Sequence, residues 1–234
     1  MKRWILSLII ISLMFFSSTG LAKFDFSWLI QGSSLSEDQI IEGLKEALKV
    51  GTTNAVDLTG RVDGYFKNET IKILMPEKLI KVESWLRKIG YGKKVDEFIL
   101  SMNRAAERAA PAAREIFWGS IKEMNFEDAK KIWKGNDTAA TDYFKTKTSA
   151  KLSAAFLPAV AKATDDVGVT KKYKDLANKI QKVKFLKVEL VDIDQYVVSK
   201  SLDGLFYMVG EEERKIRKDP AARITEILKK VFGK

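Results

Sequence analysis

Asn103, Arg104, Glu107 and Arg114 fall within one alanine-rich stretch, SMNRAAERAAPAAREIF, at residues 101–117. An amide, a carboxylate and two guanidiniums among side chains of almost no bulk suit three roles. They can form a buried charge network, because the planar arginine fork binds carboxylates bidentately. They can hold the polar end of an amphipathic ligand whose apolar part lies along the alanines. They can also line an active site. A second group, Glu211, Glu212 and Glu213 with Arg217, follows at helical spacing late in the chain. Glu211 with Lys215 and Glu213 with Arg217 are i, i+4 pairs, which read as a charged, solvated face at a helix-to-helix corner. Density of opposite charge predicts that Arg104, Glu107 and Arg114 meet Glu212 and Arg217 in one network. Arg223, beyond Asp219-Pro220, could tie that corner to Arg217 or bind an anion near a helix N-terminus. A third group lies in GNDTAATDYFKTKTSAKL, residues 135–152. Most of it is capping chemistry, with Tyr143 placed to reach a buried partner.

Histidine and cysteine are both absent. That removes Ser-His-Asp triads, Cys-His pairs, thiol redox work and nearly all zinc sites. A catalytic centre would have to use carboxylates, lysine, tyrosine or serine. A glycan-cleaving enzyme needs two carboxyls facing each other across a cleft, and no motif singles out such a pair. Asp137 and Asp142 are two carboxylates without a ligand-loop pattern. The reading is therefore no catalytic residue, no metal and no cofactor. With no disulfide available, packing must hold the fold.

The elements that must position these groups are helices. Ser36 and Gln39 fit a capping box, with Leu35 as staple, ahead of a helix through Leu58 that Gly51 interrupts. GRVDGYFKNE reads as loop, and residues 69–75 are ambiguous. Pro76 opens a helix that Gly90 stops. The alanine-rich stretch belongs to a helix over about residues 93–124, kinked or broken at Pro111, which lacks an N–H. Its alanines nearly encircle it and predict close packing. Asn125 and Asp128 cap a short helix ending at Gly135. Asp137 or Thr138 caps a long one to about Thr164, with Pro158 inside. A lysine-rich helix covers about 170–182, where a basic amphipathic stretch could lie on an anionic membrane surface. Asp192 or Asp194 caps the helix carrying Val197, Leu202, Leu205, Phe206 and Val209. Asp219-Pro220 opens the last one, through Phe232. The class is all-α: a multi-helix bundle of about seven or eight helices.

The chain begins MKRWILSLIIISLMFFSSTGLA, a basic, then apolar, then small-residue order typical of a secretory signal peptide. Cleavage near Ala22 is expected, with an uncleaved anchor as the alternative. Residues 1–22 are thus the signal, 23–35 an N-terminal arm and 36–234 a single helical domain. The net charge of +10 includes the two basic residues of the signal. In an exported, periplasmic protein nucleic acid is a poor explanation for such charge. An anionic membrane surface, a lipid or other amphipathic ligand, or an envelope protein partner is better, and simple solubility is the plain alternative.

Four motifs in order, EGLKEALKVGTTNAV, FILSMNRAAERAAPAAREIF, GNDTAATDYFKTKTSAKL and the stretch from DQYVVSKSLDGLFYMVGEEERKIRK to KKVFG, resemble a family of exported bacterial proteins. It is known as domain of unknown function 4197. The resemblance covers about residues 35–233 and implies a helical envelope protein. It brings no activity, cofactor or catalytic residue. The functional expectation is a non-enzymatic binding or interaction protein. A structural module with a filled core and a carboxylate-based enzyme acting on envelope glycans are the alternatives.

Overall fold

The computed structural model describes residues 36–166 and 191–218. Leu35, the signal and arm, the lysine-rich stretch at 170–182, Arg223 and the helix expected after Asp219-Pro220 lie outside the described residues. The regular secondary structure of the described residues is all helical, with no strand.

Helix α1 (Glu37–Gly60) starts at the expected capping box. Gln39 N donates to Ser36 Oγ at 3.3 Å and Ser36 N donates to Gln39 Oε1 at 3.0 Å. It runs through Gly51 unbroken because the missing side chain is filled from outside. A Cβ there would meet Ile216 Cδ1 at 3.3 Å. After a turn and an irregular extended segment, a 3-10 turn (Glu77–Leu79) leads into α2 (Ile80–Lys88). Pro76 immediately precedes that turn, and Gly90, at φ 88°, makes the stop.

Pro111 interrupts the α-helical pattern. Helix α3 (Gly92–Ala109) passes through a 3-10 turn (Ala110–Ala112) into α4 (Ala113–Lys122). Helix α5 (Phe126–Lys134) starts at a second capping box, with Asp128 N donating to Asn125 Oδ1 at 2.8 Å. Helix α6 (Ala139–Asp166) contains Pro158 as expected. Helix α7 (Ile193–Lys218) starts with Gln195 N donating to Asp192 Oδ1. Asp194 bonds elsewhere. It accepts from Thr164 Oγ1 at 2.8 Å and ties the end of α6 to the start of α7.

Helix α7 is the central strut. It packs against α1 on one side and α6 on the other. Both run antiparallel to it: Gly51 lies by Ile216 and Asn54 by Glu212, while Thr141 meets Glu213 and Thr164 meets Asp194. Phe117 stands edge-on to Phe144 and Phe206, with centroids 5.2 and 6.2 Å apart, joining α4, α6 and α7. Helix α2 is peripheral. It rests on α3 over a small core of Val82, Leu86 and Val95.

Ala105, Ala106, Ala109, Ala110 and Ala113 are fully buried, so the small residues serve close helix approach. Ala112 is exposed, so the close packing does not extend to that position. Ala106→Leu or Ala109→Leu should overpack this interior and lower stability by about 1–3 kcal/mol. Unchanged melting temperatures for both would place the helix at the surface.

Candidate functional site

Among the described residues, the sequence-predicted polar groups fall into separate clusters, several of them bonded to the backbone of another element.

Glu213 is buried. Its carboxylate accepts from the α6 backbone at Ala140 N (3.0 Å) and Thr141 N (2.9 Å), and from Thr141 Oγ1 (2.8 Å). It is therefore a helix cap delivered from another helix, a negative charge placed where N-terminal donors and the helix dipole favour it. The donors expected to go to Asp137 or Thr138 go to Glu213 instead. Asp137 pairs with Lys218, and Thr138 bonds to Asn136. Arg217 donates Nε and Nη2 to Glu213 Oε1 at 3.1 and 2.9 Å. The same guanidinium reaches Ile132 O at 2.9 Å, in the last turn of α5. One ion pair thus closes the C-terminal end of α5 and the N-terminal end of α6. The two side chains are only 5% and 8% exposed, so this pair is not the solvated face its spacing suggests.

Glu212 is also buried. It accepts from Asn54 Nδ2 of α1 and from Lys215 Nζ. Glu211 pairs with Arg214 rather than with Lys215. Arg114 bonds to Asp57 of α1, at the surface.

Glu107 organises the turn after α1. Its Oε1 accepts both Tyr65 N (3.1 Å) and Phe66 N (3.2 Å), and its Oε2 takes Arg104 Nη1 at 2.6 Å. Arg104 continues to Asp63 at 2.6 Å, and Asp63 to Lys67 at 2.8 Å. The turn needs this hold because Asp63 sits at φ 67°, a left-handed conformation. Gly64 follows, where a Cβ would lie 2.4 Å from Leu58 O. Tyr65 is fully buried and donates its hydroxyl to Ser201 O at 2.6 Å. Burial raises its pKa, with Glu107 and Asp203 adding to the effect. Burial works against the Arg104 charge, but the bonds to Glu107 and Asp63 outweigh it and raise its pKa.

Lys67 and then Arg104 lower the Asp63 pKa below its ordinary 3.8. A carboxylate depressed on folding stabilises above its unfolded pKa, and the contribution is lost as pH falls through the folded value. Asp63→Asn should therefore be less stable than wild type at neutral pH, with the gap narrowing below pH 3.8. Urea unfolding at a series of pH values reads this directly. A gap independent of pH would show that the charge at Asp63 is not what matters.

Asn103 is fully buried and acts as a substitute strand. Its amide donates to Ile73 O and accepts from Ile73 N, both at 2.8 Å. This bears on the ambiguous residues 69–75: residues 69–71 form a turn, 72–76 have no regular secondary structure, and Ile73 is paired to a side chain rather than to a sheet. Tyr143 donates to Ser120 O at 3.1 Å. Burial raises its pKa, and the bond to Ser120 opposes that.

The interior space beside these groups is small. A cavity of about 20 Å³ lies between α1, α6 and α7, with Glu213 and Arg217 on its wall. An open groove of about 940 Å³ runs along residues 70–80 and the first half of α7, lined by Leu74, Met75, Ile80, Tyr196 and Tyr207. Sequence reasoning missed this groove. Its signal is the set of apolar residues left outside: Leu74 is 60%, Ile80 52% and Tyr207 42% exposed.

The geometry defines a class, an all-helical protein in which buried Glu107 and Glu213 are bonded to backbone of other elements. The chain belongs to the family described as protein of unknown function (DUF4197), whose model matches residues 34–233. No curated protein and no solved structure matches it.

Proposed function

We propose that this chain is a non-enzymatic interaction protein of the bacterial envelope, with a filled core, acting through its surface. The observation that carries this reading is how the interior polar groups are used. Glu107, Glu213 and Asn103 are each bonded to backbone of a neighbouring element. The cavity beside Glu213 holds about one water's worth of space. An amphipathic ligand lying along the alanines would need room that Ala105, Ala106 and Ala109, all fully buried, leave to other protein atoms. The export half of the reading rests on the order of residues 1–22.

Native mass spectrometry of the protein purified from its own envelope fraction tests this. The expected result is the bare chain or the chain with a protein partner. A small molecule retained at one per chain through helix-preserving conditions would overturn the filled-core reading.

A further inference from the structure

Residues 72–94 hold seven basic and two acidic residues, a net of +5, which is half of the whole chain's +10. Part of this charge is spent locally: Arg87 bonds to Glu83 and Asp96, and Lys94 to Glu97. Lys81, Lys88 and Lys93 remain exposed. Lys81 and Lys88 are seven apart on α2, two helical turns, so they share one outward stripe. The opposite side, Val82 and Leu86, is the one packed against α3.

The same small region leaves apolar side chains in water. Ile80, at the start of α2, is 52% exposed, and Ile89 and Tyr91, at its end, are 47% and 53% exposed. Between them Gly90 turns the chain at φ 88° and is exposed, with open space where a Cβ would be. The turn is therefore open to solvent. Aliphatic and tyrosine side chains at the ends of a lysine-bearing stripe are what a helix lying in a lipid headgroup layer requires. Apolar groups enter the acyl boundary while ammoniums meet phosphates. A protein partner would call for a continuous apolar face, and here lysines interrupt it.

We infer that α2 and the Ile89–Tyr91 turn form a peripheral docking surface for an anionic lipid bilayer, with Lys81, Lys88 and Lys93 facing headgroup phosphates. This deepens the surface-acting reading above and rests on it. Contact is peripheral for this region, since no described helix is long and apolar enough to cross a membrane.

The test is flotation of the full chain, purified from cells, with vesicles of phosphatidylcholine alone or mixed with phosphatidylglycerol. Wild type should float with the mixed vesicles, not with phosphatidylcholine alone, and should be released by high salt. Lys81→Gln, Lys88→Gln and Lys93→Gln combined should weaken binding by about 100-fold, at roughly fivefold per lysine near an anionic surface. Ile89→Ser with Tyr91→Ser should weaken it independently of salt. Because these side chains are exposed, circular dichroism should be unchanged. Equal binding to both vesicles, no binding to either, or an unaffected triple variant would each overturn the inference. So would an acidic protein that occupies these lysines while vesicles do not. A vesicle failure leaves the filled-core reading standing, because only a retained interior ligand contradicts that.

Discussion

Glu213→Ala should be the most damaging single substitution, lowering stability by about 3–5 kcal/mol, as expected when one member of a buried ion pair is removed. Whole-domain stabilities are about 5–15 kcal/mol, so a large share of the stability margin would be lost. Three consequences add together. The Arg217 side chain, 8% exposed, loses its carboxylate. Ala140 N and Thr141 N lose the acceptor that caps α6. The Thr141 hydroxyl, in a buried residue, loses its bond as well. Glu213→Gln should fall between, since an amide oxygen keeps one acceptor but the charge opposite Arg217 is gone. Urea unfolding of both variants gives the order. Loss within about 1 kcal/mol for Glu213→Ala, the range for exposed pairs, would mean that Glu213 is solvated.

Glu107→Ala comes next. Each buried donor left unmade costs about 1–3 kcal/mol, and two backbone N–H groups depend on this carboxylate. The effect should also be local. Amide exchange at Tyr65 and Phe66 should speed up more than exchange in α6, because the turn opens before the bundle does. Glu107→Gln is the informative control. Both N–H groups bond to the same oxygen, so a glutamine can keep them, while its NH₂ would face the Arg104 guanidinium donor to donor. It should preserve amide protection and lose only part of the stability. Uniform exchange changes across the protein would contradict the assigned role.

What could be read from the sequence was local. The Ser36–Gln39 and Asn125–Asp128 boxes, the stop at Gly90 and the interruption at Pro111 all depend on neighbours within a turn, and the structure has each of them. The roles of Glu213 and Asn103 were not legible. Glu213 caps a helix 72 residues away, and Asn103 pairs with backbone 30 residues away. Nothing in either residue's own neighbourhood names that partner. Helical spacing made Glu211 to Arg217 look like a solvated stripe, because periodicity reports which residues share a face but not what covers it. Helices α1 and α6 flank α7 and bury Glu212 and Glu213. The groove at residues 70–80 escaped notice for a related reason: Leu74 and Ile80 look like core residues until their neighbours are placed.

On the proposed reading, the buried charges of the described residues form separate structural clusters, with no shared site open to a ligand. A pair of double-mutant cycles tests it, Glu213 with Arg217 and Glu107 with Arg217, by urea unfolding with and without envelope lipid extract. The first pair should show a coupling of about 0.5–3 kcal/mol, and the second should be additive within about 0.5 kcal/mol. Neither value should change with extract. Coupling between Glu107 and Arg217, or a coupling that appears only with extract, would mean that the clusters act as one ligand-linked site.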